Sequence, residues 1–130
     1  MSNSAVGNAL NVADLAAQAT VTFAAKQYFG CIAHTVAGEV TLAGANAALL
    51  GVVQNKPAAG EAAQVRCVRG TVSLASCGAA VAAGNRIMTD SNGQFITAAS
   101  TAQKICGIAL SSTSAINELF EMMLVDGYVA

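Results

Sequence analysis

Ala48-Leu49-Leu50-Gly51-Val52-Val53-Gln54 is an apolar run with a glycine at its centre, and Lys104-Ile105-Cys106-Gly107-Ile108-Ala109-Leu110 writes it again. A run this short and unbroken reads as a strand buried on both faces. A glycine at the same place in both copies predicts matching bends or close backbone approaches.

Outward from these two runs, the likeness extends over residues 30–72 and 85–129. Ile32, Gly38, Val40 and Ala43 recur 55 positions later as Ile87, Gly93, Phe95 and Ala98. Leu49, Gly51 and Val52 recur 56 positions later as Ile105, Gly107 and Ile108. Glu61, Val65, Cys67, Val68, Gly70 and Val72 recur 57 positions later as Glu118, Met122, Leu124, Val125, Gly127 and Val129. The offset drifts by one residue at each of two loop-like places. Glycines and aliphatics are kept, with hardly any reactive side chain. A scaffold duplicated without chemistry points to a protein whose product is its shape.

The remaining segments extend the β reading. Thr20–Ala24, Tyr28–Ala33, Val40–Ala43, Gln64–Val68 and Thr71–Ala75 are strand-like in the first part of the chain. Arg86–Thr89, Gln94–Ala98 and Glu118–Val125 are strand-like in the second. Asp90-Ser91-Asn92-Gly93 is a hairpin signal, and Cys77–Asn85 reads as the connection between copies. The loop Asn55–Gly60, with the only proline, has its counterpart in Ser111–Asn117. About nine or ten short strands at this spacing predict an all-β small barrel or sandwich of two pseudo-repeated halves. The expected organisation is a single β domain over residues 20–130 after an N-terminal arm over 1–19.

The arm is rich in Ala, Asn and Ser, and Leu10, Val12 and Leu15 are its only sizeable apolar groups. Asn11 followed three residues later by Asp14 is a cap signal for one or two helical turns through Ala19. So short a helix is unstable alone. Two readings stand: a disordered tail, or an arm that orders on a neighbouring subunit. Residues 1–19 are expected to contribute to attachment and little to the core, so deleting them should leave the melting temperature nearly unchanged while weakening binding to the partner.

Composition narrows the function. The 130 residues are 55% hydrophobic, mostly through Ala and Val, but only 10% charged, against about 25% in a typical soluble domain. A surface left to Ala, Ser, Thr, Asn and Gln is weakly hydrated and suited to lying against another protein. The net charge is −1, and the six basic residues are spread from Lys26 to Lys104. Such scatter cannot neutralise a run of phosphates, which argues against nucleic acid as the partner. The sequence has no strongly apolar window long enough for a transmembrane helix, and Met1-Ser2-Asn3-Ser4 lacks the basic start of a signal peptide. No membrane partner is expected.

Residues that carry chemistry are few. Cys31, Cys67, Cys77 and Cys106 show no C-x-x-C pairing. Cys67 aligns with Leu124 and Cys106 with Leu50, so these positions behave as aliphatic core sites holding reduced thiols. His34 is the only histidine, and at i, i+3 in a strand it points away from Cys31. Glu118 and Glu121 diverge for the same reason. Glu61 and Glu118 follow equivalent loops and are expected to hold a loop N–H or a basic neighbour, Arg66 or Arg69 in the case of Glu61. Gly78–Gly84 lacks the spacing of a phosphate cradle, and no serine sits in a G-x-S-x-G elbow. The sequence offers no catalytic, cofactor-binding or metal-binding residues.

The order of these blocks resembles the tailed-phage capsid decoration, or cement, proteins. Leu50-Gly51-Val52-Val53 is followed by Ala58-Ala59-Gly60-Glu61 and the strand leading to Gly70. Gly84–Met88 with Asp90–Phe95 comes next, then Cys106-Gly107-Ile108-Ala109 and Glu118–Val125. The resemblance covers about residues 28–126; the Ala-rich arm and four cysteines depart from the pattern. It implies a β-tulip-like, non-enzymatic head stabilisation protein of the virion. Such a protein binds the outside of an assembled bacteriophage head, commonly as a homotrimer, and bridges subunits of the major capsid protein. In that setting the arm residues Leu10, Val12 and Leu15 are the candidate capsid contacts.

Two other classes remain open to the sequence. A virion-surface spike or binding module would present Pro57, Tyr28 and Tyr128 at an exposed tip to a host receptor or glycan. An enzyme would use Cys31 or Cys77 as nucleophile and would need a thiol of low pKa.

Overall fold

The computed structural model describes residues 14–129. Ten strands follow one another: β1 (Asp14–Ala19), β2 (Gly30–Ala33), β3 (Glu39–Leu42), β4 (Gly51–Val53), β5 (Ala62–Arg66), β6 (Val72–Ser76), β7 (Arg86–Thr89), β8 (Phe95–Thr97), β9 (Lys104–Ala109) and β10 (Leu119–Tyr128). The all-β expectation holds. Strands β1-β3-β2-β4-β5 close into a barrel, and the other five form a sheet in the order β6-β10-β9-β7-β8.

The pseudo-repeat is a repeat of structure. β2 pairs with β3 and β4, and β4 with β5; in the second half β7 pairs with β8 and β9, and β9 with β10. Matching registers go down to single residues. Val53 lies opposite Val65 in one half, and Ala109 lies opposite Met122 in the other.

The repeat is also longer than the sequence reading has it. β1 runs antiparallel to β5 as β6 runs antiparallel to β10, with Ala16 opposite Gln64 and Leu74 opposite Glu121. Each half is therefore a five-stranded unit, and the joint between them is Cys67–Thr71, not Cys77–Asn85. Cys77–Asn85 links β6 to β7 inside the second half, as Thr20–Phe29 links β1 to β2 inside the first. The match between β1 and β6 is invisible in sequence because Asp14-Leu15-Ala16-Ala17-Gln18-Ala19 shares almost nothing with Val72-Ser73-Leu74-Ala75-Ser76.

Two further corrections concern the first strands. Residues 14–19 are extended, not helical, and lie between β5 and β3, so the β fold begins six residues before the expected boundary. Small side chains pack here: Ala17 and Ala19 face inward, and Ala63 lies opposite Ala17. Thr20–Ala24 is not a strand; it turns so that Phe23 fills the barrel interior. In β2 the sequence alignment is one residue out of register. Cys31 and Ile87 occupy the equivalent buried positions, and Ile32 matches Met88. His34, whose N–H bonds Glu39 O at 3.0 Å, therefore matches Asp90, whose N–H bonds Gln94 O at 2.8 Å, and not Thr89.

Two large cores result. Phe23, Cys31, Val40, Val53, Ala63 and Val65 fill the barrel. The other gathers Ile87, Phe95, Phe120, Met122 and Leu124 from the second half with Leu49 and Val52 from the first, and so cements the halves together. The expected close approaches are present: a side chain on Gly51 would strike the Arg66 carbonyl, and one on Gly107 would strike Met122.

Candidate functional site

Leu15 is the one expected contact residue within the described part of the chain; Leu10 and Val12 lie outside it. Leu15 sits opposite Val65 in β1, on the inward side at the barrel's end, and is 43% exposed. Asp14, directly before it, is held by Arg66, whose Nε donates to Asp14 Oδ1 at 3.0 Å. The start of the strand is thus tied down, and Leu15 is presented at its end.

The loop glutamates act as expected on backbone donors. Glu61 Oε1 accepts from the Ala58 N–H at 2.7 Å, and Glu118 Oε1 accepts from Ser114 N–H at 2.7 Å and Ala115 N–H at 3.3 Å. These bonds hold the Glu118 carboxyl below the ordinary glutamate value. Neither arginine pairs with Glu61. Arg66 goes to Asp14, and Arg69 goes to Asp126 at 3.0 Å.

Arg69 has a structural role other than the Glu61 pairing expected from sequence. Its Nη1 donates to the carbonyls of Leu50 and Cys67, and its Nη2 donates to that of Leu49 at 2.6 Å. Through Asp126 the same guanidinium reaches β10, so one planar fork ties the two halves. Gln94 is a residue that the sequence reading missed. It is buried, and its amide donates to Ser76 Oγ, the Cys77 carbonyl and Asn117 Oδ1. Both are polar side chains tied to groups far off in sequence, which no periodicity reveals.

Cys31, Cys77 and Cys106 are free and buried, and Cys67 is half-buried. Burial pushes the Cys31 and Cys106 thiols up to about 12. That is the reverse of what a nucleophile needs, and it removes the case for Cys31. His34 stands on the exposed β2–β3 hairpin, 3.4 Å from Glu39, while Cys31 points into the barrel. Among the described residues, no three His, Cys, Asp or Glu side chains gather as a metal site would require.

The residues of the imagined spike tip do not come together. Pro57 is buried, and Tyr28 packs half-buried against the core between the halves. Tyr128 is 66% exposed but borders a different depression, with Lys104 and Asp126. Tyr28 lines one with Lys56 and Asn117. Among the described residues, no helix is long and apolar enough to cross a membrane.

What the surface does offer is exposed apolar side chains on regular strands, Leu74 and Leu119 among them. A fold of duplicated, tightly registered strands carrying such side chains is equipped to lie against a partner.

Known proteins bear on this geometry in two ways. No curated protein matches the chain in sequence. Among solved structures, the N base of head fiber gp8.5 of bacteriophage phi29 has the same fold, with a TM-score of 0.69 at 14% identity over 90% of this chain and 97% of that one. The profile of the phage cement protein family matches residues 30–124, which takes in the strands from Gly30 into β10. The chain belongs to the phage cement protein family, and is a structural protein associated with the phage head.

Proposed function

We propose that the protein binds the outer surface of an assembled phage head and stabilises it by bridging subunits of the major capsid protein. The family match over residues 30–124 carries this reading. The physical chemistry of the chain supports it. A charge-poor surface packs closely on another protein without stripping water from many ions. Contacts that are weak singly gain strength when joined copies of the chain make them together on a shell. The working form is a homotrimer, as the resemblance to the cement proteins implies, and a closed ring of this kind avoids open-ended association. Assembly takes place in the host cytoplasm, the protein ends on the exterior of the virion, and no reaction is catalysed.

The test is cosedimentation of the purified chain with assembled coat shells that lack it. Saturable binding, with shells that then withstand higher temperature, supports the proposal. A chain left in the supernatant at every shell concentration refutes it.

A further inference from the structure

The two halves provide an internal comparison. On the outer face of the second sheet, alternation sends Val72 and Leu74 of β6 outward while Ser73 and Ala75 point in. Leu119, Glu121 and Met123 of β10 share that face, as Phe120 and Met122 point in. Leu74 lies opposite Glu121, and Val72 lies opposite Met123. Leu110 adjoins them, its N–H bonding Glu121 O at 2.7 Å. The result is five apolar side chains around one carboxylate.

The same positions in the first half hold other chemistry. Ala16 lies opposite Gln64, and Asp14 lies opposite Arg66. Gln54 N–H bonds Gln64 O at 2.7 Å, as Leu110 N–H bonds Glu121 O. Asp14, Ala16, Gln54, Ala62 and Arg66 therefore stand where Val72, Leu74, Leu110, Leu119 and Met123 stand in the second half. One backbone plan folds with small, polar and ion-paired residues at these sites. The fold does not require the apolar set, and leaving it in water has a cost.

We infer that the outer face of β6, β10 and β9 is the surface that docks on the head, against a coat-protein surface that is apolar and carries a Lys or Arg opposite Glu121. Two observations choose this occupant. Six side chains fall well short of the roughly 20–30 residues a side of a stable two-protein interface. Such a patch is too small to hold two free copies together, but it suffices where the linked copies of the proposed homotrimer engage several shell sites at once. Glu121 is the only charge among these six side chains, Arg86 standing farther across the same face beyond Ile108, and its counterpart in the first half is the neutral Gln64. A carboxylate covered by a partner needs a cation there, because an unpaired buried charge is strongly unfavourable.

The inference rests on the head-binding reading, and its test separates the two. Full-length wild type, Leu74→Ala/Leu119→Ala and Glu121→Lys are each titrated against assembled coat shells in cosedimentation, with Gln64→Lys as the control on the first half. The double variant installs the residues that the first half already carries, so its thermal melt stays that of wild type. Expected is a loss of apparent shell affinity of about tenfold or more for the double variant and for Glu121→Lys, with Gln64→Lys unchanged. Wild-type binding by both second-half variants would overturn the docking face while leaving the head-binding reading intact. Failure of wild type to bind would overturn both. Loss of self-association by the double variant in sedimentation velocity would make the face an interface between copies, and would also overturn the inference.

Discussion

Cys77 bridges Phe95 in parallel, and this contact stands where Ala19 bridges Val40 in the other half. Val40 and Phe95 are sequence-aligned repeat positions, and both bridging strands begin their half. The Ala19 contact closes the first barrel; the Cys77 contact draws β6 toward β8, the far edge of the second sheet. The duplication therefore includes the closing strand of each unit.

Truncation tests that role. Removing residues 1–19 takes away a strand that pairs with both β5 and β3. The loss is comparable with the whole stability of a small domain, about 5–15 kcal/mol. The truncated protein is expected to lose its cooperative melt, against the expectation drawn from sequence. A melting temperature within a few degrees of wild type would show that β1 is dispensable.

Much of this fold is legible in the sequence, and the reason is glycine and parity. Gly51 and Gly107 each sit where the neighbouring strand comes too close for a side chain, so the requirement leaves the same mark twice. Arg86–Thr89 is a strand with the expected bounds, fixed by the Asp90-Ser91-Asn92-Gly93 turn after it, where Gly93 has φ +78°. β1 is illegible because half of Asp14–Ala19 is alanine, and alanine carries little strand signal. The slip at β2 arose because Ile32 and Ile87 look alike, although Cys31 is the residue buried as Ile87 is. The outer face of the second half was legible only once the strand pairings gave each residue a side.

The two central glycines are not equally constrained. An added methyl on Gly51 meets the Arg66 carbonyl and Val65 Cγ1, at 2.6 Å for the latter, whereas on Gly107 it meets chiefly the flexible Met122. Gly51→Ala is expected to destabilise by about 3 kcal/mol or more, and Gly107→Ala by about 1–2 kcal/mol. Denaturant unfolding of the two variants measures the difference; equal effects would contradict this account of the packing.

Arg69 and Asp126 form one ion pair but contribute unequally. Asp126 is 72% exposed, so Asp126→Ala should cost about 0–1 kcal/mol. Arg69→Ala leaves the carbonyls of Leu49, Leu50 and Cys67 without this donor and should cost about 2–4 kcal/mol. Arg69→Lys cannot reproduce the fork and should recover little of that loss. Chemical denaturation of the three variants checks the order, which a fully restored Arg69→Lys would break.

Thiol chemistry reports on both cores. Cys67 is half-buried, whereas Cys31 and Cys106 are buried with thiols pushed up to about 12. Alkylation of native protein near pH 8 should label Cys67 first, and Cys31 and Cys106 only at the rate of unfolding. Because the folded values exceed the ordinary 9.0, these thiols favour the folded state fully below pH 9. That contribution is lost as pH rises from 9 toward 12. A melting temperature that holds steady across that range would argue against buried thiols.

Glu118 has the opposite sign. Its carboxyl lies below the ordinary 4.5 because it accepts the Ser114 and Ala115 N–H groups. The stabilisation is complete above the unfolded value and disappears as pH falls through the folded one. An NMR titration should place the Glu118 midpoint below that of an unstructured glutamate, and Glu118→Gln should remove the corresponding acid sensitivity. A midpoint at or above the ordinary value would mean that the loop cap is not formed.

This duplicated β protein is proposed to work on the outside of a phage head. Electron cryomicroscopy of native heads tests it most directly. Expected is density on the outer surface, over the seams between coat subunits, into which the two five-stranded units fit with β6, β10 and β9 toward the shell. Native heads that contain the protein but show an outer surface bare of such density would contradict it.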